Sequence, residues 1–265
     1  MSVVQLNGVS ATIADLAPLA FAGYAHFTAM QVRGGQVRGL DLHLARLRGA
    51  SLQLFNMALP DDMLRGYLRA ALAASPADCS LTLTLYCPAG EFAVAAVPVL
   101  PQVLVRTAPP SSGPQGPLRL AAVEHERLLP AIKHVGEIAK TWYLRQAAAQ
   151  GLDDAAFVDR QGRLSEGTIW NLAFWDGHGV VWPQAAMLGG TMMAMVRRQL
   201  AHMQVPQREE EITLAGLSAM QGAVVMNSWT PGVAVHEIGG VSLPPAPELL
   251  GLLHRAHQAE ALLAP

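Results

Sequence analysis

The chain has 265 residues, of which 51% are hydrophobic and 14% charged, and its formal net charge is −2. This length predicts one large domain or two smaller ones with ample core. A near-neutral chain without arginines interleaved with aromatic residues argues against nucleic-acid binding, and no apolar run reaches the roughly 18 residues that span a bilayer. Because residues 1–16 lack the basic and apolar segments of a signal peptide, we expect a cytoplasmic protein without a membrane span.

Strand and helix patterns alternate in the first hundred residues. Residues 30–40 predict a hairpin, because Gly34 and Gly35 suit the positive φ angles of a tight turn. Helices are predicted over 41–55 and 61–74, and alternation predicts a strand over 81–86. Cys79 and Cys87, the only cysteines, are expected to be reduced thiols and too few for a metal site.

A proline-, glycine- and serine-rich stretch over 108–117 predicts an interdomain linker. The prediction is therefore a small N-terminal α/β domain over 1–107 and a larger mixed α/β domain over 118–265, together an α+β fold. The second half predicts these elements in chain order: strand 118–123, helix 136–150, strands 155–158 and 164–175, a hairpin turn over 176–179, a helix from 191, strands 223–227 and 237–243, and a final helix.

Lysine is rare in this chain, with only Lys133 and Lys140 against sixteen arginines. A desolvated lysine amine can lose its proton and attack a carbonyl, which arginine does not do. Both lysines are therefore candidates for covalent chemistry.

Four segments combine chemically useful groups. They are Ile132-Lys133-His134, Leu164-Ser165-Glu166-Gly167-Thr168-Ile169-Trp170-Asn171-Leu172, Leu188-Gly189-Gly190-Thr191-Met192 and His43-Leu44-Ala45-Arg46-Leu47. An amine, a carboxylate, an arginine and a glycine-rich helix N-terminus are what a phosphorylated pyridine aldehyde requires. Each feature alone also fits a surface charge, a turn or a helix cap, so the prediction depends on their combination.

In this order and spacing, the segments resemble the class IV aminotransferases, the fold type IV family that uses pyridoxal 5′-phosphate (PLP). The resemblance extends from Phe27 to about Leu243, and Met226–Val235 resembles the family's second phosphate loop. It implies that Lys133 forms the aldimine with PLP and moves protons, whereas Lys140 fits the family spacing less well. It implies that the cofactor is bound by Arg46, Glu166, Leu188, Gly190, Thr191, Met192, Ser228 and Trp229.

The resemblance further assigns Glu166 to the pyridine nitrogen, Leu188 to the ring, and Arg46, the turn 190–192 and the loop at Ser228 and Trp229 to the phosphate. It also implies a site between the two domains and a homodimer, for which the low charge content offers additional support. The expected substrates are a small-molecule amino acid and a 2-oxo acid.

The substrate side departs from the family pattern. The expected Asp-Gly pair is missing from residues 22–28, and Cys87-Pro88-Ala89-Gly90 stands where many members have Arg-Gly. Tyr24, His26 and Thr28 align with the strand that faces the cofactor and are the predicted substrate-side residues.

Three functions remain open at this stage. The first is a PLP-dependent aminotransferase, and the second is an aminodeoxychorismate-lyase-like enzyme, which Ile132-Lys133-His134 and Phe27-Thr28 favour. The third is a protein that keeps the fold without catalysis, which the missing substrate motifs favour and the retained Lys133, Glu166 and Arg46 oppose. The sequence does not determine the amino donor or its stereochemistry.

Overall fold

The computed structural model describes residues 2–21, 23–88 and 100–265. The chain forms two compact units, each made of more than one stretch of sequence. Unit 1 comprises Met1–Ser111, Ile132–Gly136 and Ala261–Pro265, and unit 2 comprises Ser112–Ala131 and Glu137–Glu260. The short segment that carries Lys133 therefore belongs to unit 1, although the residues on both sides of it belong to unit 2.

Unit 1 packs three helices with an antiparallel sheet. Its helices are α1 (Ile13–Phe21), α2 (Leu40–Phe55) and α3 (Asp61–Ala73). Its strands are β1 (Val4–Leu6), β2 (Val9–Ser10), β3 (Ala25–Arg33), β4 (Gln36–Arg38), β5 (Cys79–Tyr86), β6 (Gln102–Ala108) and β16 (Leu262–Leu263). Among the described residues, the strand order is β16-β4-β3-β5-β6-β1-β2.

The hairpin between β3 and β4 follows directly from its turn. Gly34 and Gly35 have φ angles of 57° and 74°, a left-handed conformation that glycine adopts without steric cost. Strand β4 is short and pairs with β3 only at Val32↔Val37 and Arg33↔Gln36. The rest of this edge of β3 is therefore left to another segment.

The core of unit 1 lies between its sheet and the helices α2 and α3. Leu44 and Leu47 from α2, Leu64 and Leu68 from α3, and Leu83 from β5 are at most 1% exposed. In each helix these leucines are spaced three or four residues apart, so one face of the helix is buried. This burial fixes α2, which carries Arg46, onto the sheet.

Unit 2 is built around a larger mixed sheet. Its helices are α4 (Ile138–Ala149), α5 (Thr191–His202) and α6 (Pro247–Ala259), with a 3-10 helix at Ala215–Ala219. Its strands are β7 (Leu118–Glu124), β8 (Asp154–Val158), β9 (Leu164–Gly167), β10 (Asn171–Trp175), β11 (Val180–Pro183), β12 (Gln207–Glu210), β13 (Gly222–Asn227), β14 (Thr230–Ile238) and β15 (Val241–Ser242).

The described strands of unit 2 have the order β12-β11-β10-β13-β14-β7-β8-β9, and β15 pairs with β14. Strand β9 also pairs with β10, at Glu166↔Asn171. The strands from β10 through β13, β14, β7 and β8 to β9 therefore form a closed ring. The two hairpins β9–β10 and β13–β14 turn at the same end of neighbouring strands, because Asn171 pairs with Met226.

Two segments that were predicted as single strands each contain two strands separated by a turn. The segment 164–175 is two strands rather than one, because the Gly167 amide donates to the Trp170 carbonyl at 2.8 Å and closes a turn. The segment 237–243 is likewise the end of β14, a turn and β15, since Gly239 and Gly240 have φ angles of 58° and 80°.

The helix predicted at 61–74 and the strands predicted at 81–86 and 118–123 are confirmed to within two residues. The hairpin predicted at 30–40 is confirmed at its turn, but its first strand begins earlier, at Ala25. Helix α1, the 3-10 helix at Ala215–Ala219 and strands β1, β2, β6, β12 and β16 were not predicted. The departure predicted at Ala89 and Gly90 lies outside the described residues. The domain bounds of 1–107, 108–117 and 118–265 remain a prediction.

Two further observations concern the described part of the chain. None of its helices is long and apolar enough to cross a membrane. It also contains no group of three or more His, Cys, Asp or Glu side chains placed to hold a metal ion.

Candidate active site

Glu166 is a buried carboxylate at the end of β9. Its residue is 3% exposed, and its Oε1 accepts hydrogen bonds from the Leu188 amide at 3.3 Å and from Arg127 Nη1 at 3.4 Å. Burying a carboxylate is costly unless it is hydrogen-bonded and paired, and both kinds of partner are present here. Unit 2 thus supplies a fixed acid at the position where the sequence predicts the partner of a pyridine nitrogen.

Arg127 is a second charged residue of this cluster, and sequence reasoning missed it. Its side chain is 2% exposed, and its guanidinium contacts Glu137 Oε1 through Nη2 at 2.7 Å and through Nε at 2.8 Å. Nη1 also donates to the Pro130 carbonyl at 2.9 Å. The only signal in the sequence is an arginine six residues before Lys133, between the polar run Glu124-His125-Glu126 and the apolar residues 128–132.

Lys133 is held by unit 1 through its backbone. The Phe27 amide donates to the Lys133 carbonyl at 2.8 Å, the Val135 amide donates to the Ala25 carbonyl at 3.0 Å, and His134 forms a bridge with His26. The segment 133–135 therefore pairs with the part of β3 that β4 leaves uncovered. Lys133 Nζ lies 4.9 Å from the centroid of the Phe27 ring.

Lys140 lies in the first turn of α4, in unit 2. Burial lowers the pKa of its amine, while the neighbouring Glu166 raises that pKa and Arg127 lowers it again. An amine with a lowered pKa has a larger neutral, nucleophilic fraction. Lys140 thus remains a chemical alternative to Lys133, and the two have to be separated by experiment.

The turn before α5 is built around Asn171. Asn171 Nδ2 donates to the Leu188 carbonyl at 2.7 Å, and the Leu188 amide donates to Glu166. Gly190 is the N-cap of α5, and a Cβ at this position would overlap Asn171 Oδ1. Glycine is required here for space, because its φ of −61° is ordinary.

The predicted phosphate-binding residues of unit 2 come from two neighbouring turns. Thr191 and Met192 begin α5 and are 6% and 3% exposed. Their amides lie in the first turn of the helix, where amides lack intrahelical partners and the helix dipole favours an anion. Ser228 and Trp229 form the turn between β13 and β14, and the Trp229 amide donates to Asn227 Oδ1 at 2.8 Å.

Asp154 supports the turn between β9 and β10. Its carboxylate accepts hydrogen bonds from Thr168 Oγ1 at 2.6 Å and from Trp170 Nε1 at 2.9 Å. Burial raises the pKa of Asp154, and the Thr168 hydroxyl, the Ala155 amide and the Trp170 indole counteract this. Trp170 in turn packs edge-to-face on Trp229 with ring centroids 6.0 Å apart. Asp154 and Trp170 thus connect the β9–β10 hairpin, which carries Glu166, to the turn between β13 and β14.

In unit 1, α2 is joined to β3 by buried hydrogen bonds. His43 Nδ1 and Thr28 Oγ1 are 2.6 Å apart, and His26 Nε2 and Ser51 Oγ are 2.8 Å apart. Burial lowers the pKa of His26 to about 4 and that of His43 to about 3, the latter also through Arg46. Both imidazoles are therefore neutral at neutral pH.

The predicted substrate-side residues differ in accessibility. His26 and Thr28 are fully buried against α2, whereas Tyr24 is 43% exposed and its hydroxyl donates to the Leu54 carbonyl at 2.8 Å. Arg46, the predicted phosphate ligand of unit 1, is half-buried on α2.

Comparison with known proteins identifies the family. The sequence model described as "Amino-transferase class IV" matches residues 25–238. The chain belongs to the class IV aminotransferases. This is a family of enzymes, so the predicted family and the assignment as an enzyme are confirmed.

Solved structures of the same fold cover almost the whole chain. A branched-chain aminotransferase from Thermoproteus uzoniensis is 18% identical with a TM-score of 0.82, covering 97% of this chain and 94% of its own. The 4-amino-4-deoxychorismate lyase from Pseudomonas aeruginosa is 24% identical with a TM-score of 0.79, covering 97% of both chains. A hypothetical aminotransferase from Mycobacterium tuberculosis in its PLP-bound form is 21% identical with a TM-score of 0.78, covering 97% of both.

These similarities confirm the predicted α+β, two-domain fold type IV class. A comparison with functionally curated proteins finds no match.

Proposed function

We propose that this class IV aminotransferase family member is a PLP-dependent aminotransferase that transfers an amino group between an amino acid and a 2-oxo acid. The observation that carries the proposal is Glu166: a buried carboxylate, held by an arginine and a backbone amide, at the position that the family pattern assigns to the pyridine nitrogen. The PLP in the Mycobacterium tuberculosis structure of the same fold supports the choice of cofactor.

The residues of each unit fit the chemistry of PLP. In unit 2, Glu166 would bind the ring nitrogen, Leu188 would pack on the ring, and the amides of Gly190, Thr191 and Met192 would bind the phosphate. Ser228 and Trp229 would bind the phosphate from the second turn; because the Trp229 amide already donates to Asn227, Ser228 is the better donor there. In unit 1, Arg46 would bind the phosphate by charge-assisted hydrogen bonds, and Lys133 would bind the aldehyde covalently.

Bound PLP supplies an electron sink that stabilises negative charge at the substrate Cα. Lys133 would be displaced by the amino acid and would then act as the general base that takes the proton from Cα. Glu166 would keep the ring nitrogen protonated, which a buried neutral residue does not do. Of the three substrate-side residues, Tyr24 is the one with substantial exposure, and we assign it the substrate contact; His26 and Thr28 would support it from beneath.

The covalent step is tested with two matched variants. The wild-type protein reconstituted with PLP should show an absorbance band near the visible edge that disappears on borohydride reduction. Lys133→Ala should lose the band and Lys140→Ala should keep it. The reverse result would transfer the covalent role to Lys140, and the absence of a band in all three proteins would contradict a PLP enzyme.

The transfer reaction is tested with a panel of amino donors. We expect the band of the wild-type protein to disappear with at least one L- or D-amino acid and to return on addition of 2-oxoglutarate or pyruvate. Reversal by a 2-oxo acid requires a ping-pong cycle, so a donor that bleaches the band irreversibly would argue against an aminotransferase.

An aminodeoxychorismate-lyase-like activity is the second candidate. The similarity to the Pseudomonas aeruginosa lyase, at 24% identity over 97% of both chains, favours it, as do Phe27-Thr28 and Ile132-Lys133-His134. Pyruvate release from aminodeoxychorismate, detected with coupled lactate dehydrogenase, separates the two activities. Release without any reversible reaction with amino donors would replace the first proposal by this one.

We also propose that the enzyme is a cytoplasmic homodimer. Ile138 and Trp142 are 86% and 59% exposed, and their spacing of four residues places them on one face of α4. Exposed apolar residues of this size support a contact with a second copy. Light scattering should give twice the mass of the chain, and a monomer at micromolar concentration would contradict it.

A further inference from the structure

A buried ion cluster surrounds the carboxylate that we assign to the pyridine nitrogen. The guanidinium of Arg127 lies between two acids: it contacts Glu137 at 2.7 Å and Glu166 at 3.4 Å, and the side chains of Arg127 and Glu166 are 2% and 4% exposed. Two carboxylates and one guanidinium leave this cluster with a net charge of −1. The cluster lies entirely within unit 2.

In this cluster, Arg127 uses different nitrogens to hold Glu166 in place and to pair with Glu137. Arg127 contacts Glu137 through two nitrogens, and uses Nη1 for the Pro130 carbonyl and Glu166 Oε1. The planar guanidinium fixes these directions, which a lysine ammonium would not. Glu137 is the N-cap residue of α4, so the cluster also connects the Glu166 hairpin to that helix.

We propose that Arg127 is a positioning residue for the cofactor reaction. Arg127 fixes Glu166 by its hydrogen bond to Oε1, while Glu137 neutralises the positive charge of Arg127. This inference rests on the proposed function. Without Glu137, the positive charge of Arg127 would cancel that of Glu166, and a pyridine nitrogen would meet a neutral group. With Glu137, the nitrogen meets a fixed, net negative cluster, which favours its protonated form.

Other charged groups contribute to the same local field. Lys140 from α4 and Asp154 from β8 lie within electrostatic range, since both Glu166 and Asp154 act on the pKa of Lys140. The charges of Lys140 and Asp154 are opposite and add no net charge when both are ionised. Burial lowers the pKa of His125, which also interacts with Glu137, Lys140 and Arg127, so this imidazole is mostly neutral at neutral pH. The charge balance around Glu166 thus depends mainly on Arg127 and Glu137.

Opposite charge changes should have opposite spectroscopic effects. Arg127→Gln makes the cluster more negative, so the midpoint of the pH titration of the bound-cofactor absorbance should move up. Glu137→Gln makes the cluster less negative, so that midpoint should move down. A purely structural role would not give shifts of opposite sign.

Loss of anchoring should also slow the chemistry. We expect Arg127→Gln to lower the rate constant of the half-reaction with an active donor by about 10- to 100-fold, the range typical when a residue that orients a reactive-site ligand is removed. Arg127→Lys keeps the positive charge but lacks the fixed hydrogen-bond directions of the guanidinium. This variant should therefore have the wild-type titration midpoint but a lowered half-reaction rate. The affinity for PLP, measured by titrating the cofactor-free protein, should fall in Arg127→Gln as well.

Arg198→Gln is the matched control, since Arg198 pairs with the buried Glu260 elsewhere in unit 2. It should leave the midpoint, the rate and the PLP affinity unchanged. A folded Arg127→Gln protein with wild-type values of all three would overturn the inference. If that variant does not fold, midpoint shifts of the same sign in Arg127→Lys and Glu137→Gln, or no shift in Glu137→Gln, would overturn it instead. Absence of a cofactor band in the wild-type protein would contradict the proposed function and not this inference alone.

Discussion

Gly190→Ala should lower the free energy of unfolding of unit 2, whereas the neighbouring Gly189→Ala should have little effect on it. At Gly190, an added Cβ would overlap Asn171 Oδ1 and also approach Asn171 Cγ at 3.0 Å. At Gly189, the space around an added Cβ is empty to 4 Å. Both substitutions add the same methyl group to the same turn, so the difference between them measures the contact with Asn171.

The size of the effect follows from what Asn171 does. Its side chain is held in place by the 2.7 Å hydrogen bond from Nδ2 to the Leu188 carbonyl, and the residue is 5% exposed. Breaking a buried hydrogen bond costs about 1–3 kcal/mol, and the strain of an added buried group costs about 1–3 kcal/mol. We therefore expect Gly190→Ala to lower the free energy of unfolding of unit 2 by about 2–6 kcal/mol, and Gly189→Ala by less than about 1 kcal/mol.

Tryptophan fluorescence during urea denaturation reports on unit 2 alone. The five tryptophans of the chain are Trp142, Trp170, Trp175, Trp182 and Trp229, and all of them lie in Glu137–Glu260. The double variant Asn171→Ala/Gly190→Ala isolates the overlap from the weaker helix capping of alanine. It should be about as stable as Asn171→Ala, because the group that collides has been removed.

Additive losses in the double variant would refute the reasoning, since they would mean that the methyl group and Asn171 do not interact. Equal stabilities of Gly189→Ala and Gly190→Ala would refute it as well. A loss of PLP affinity in Gly190→Ala that exceeds the loss in Gly189→Ala would in addition support this turn as the phosphate site.

Three further predictions concern the cofactor and the packing of unit 1. Arg46→Ala should weaken PLP binding by about 1.5–3 kcal/mol, or about 10- to 150-fold, if a charged hydrogen-bond pair is lost; wild-type affinity in a titration would exclude a phosphate contact. Glu166→Gln should retain PLP but slow proton abstraction from the donor, and unchanged half-reaction rates in stopped-flow absorbance would contradict its role at the ring nitrogen. The pKa of His26 is lowered from 6.5 to about 4, so the unfolded state binds the proton first, and stability should fall as the pH drops from 6.5 to 4. In His26→Asn, the melting temperature measured by circular dichroism should therefore fall less steeply between pH 6.5 and 4 than in the wild-type protein. Some of the fall should remain, because the pKa of His43 is also lowered. An unchanged pH dependence would contradict the prediction.

Local sequence signals were sufficient where one segment determines its own structure. The Gly34-Gly35 turn, the leucine spacing of α2 and α3, and the alternation in β5 each predict an element that the structure confirms. The prediction of one strand over 164–175 was wrong because it too relied on local signals alone. The turn at 168–170 contains Ile169 and Trp170, residues that favour strands. The reversal is visible only in the structure, through the pairing of Glu166 with Asn171 and the hydrogen bond from the Gly167 amide to the Trp170 carbonyl.

The residues of the candidate site divide in the same way. Two motifs predict Glu166, Leu188 and Gly190 as site residues. In the structure the Leu188 amide donates to Glu166, and Asn171 contacts the turn that contains Leu188 and Gly190. Arg127 could not be predicted, because its contact with Glu166 joins residues 39 apart in sequence. Its role depends on burial and on the position of Glu137, and no local pattern encodes either.

The placement of Lys133 shows how the fold limits what a short motif determines. Because β4 is short, β3 has an uncovered edge at Ala25 and Phe27, and the main chain on both sides of His134 is hydrogen-bonded to it. These hydrogen bonds hold the backbone of Lys133 against β3 of unit 1, so the Cα of Lys133 has a fixed position in that unit. The Lys140 amide donates instead to the Glu137 carbonyl at 3.2 Å, within unit 2. If a fixed origin is what the covalent role requires, lengthening β4 by two residues should abolish cofactor attachment at Lys133 without changing either lysine.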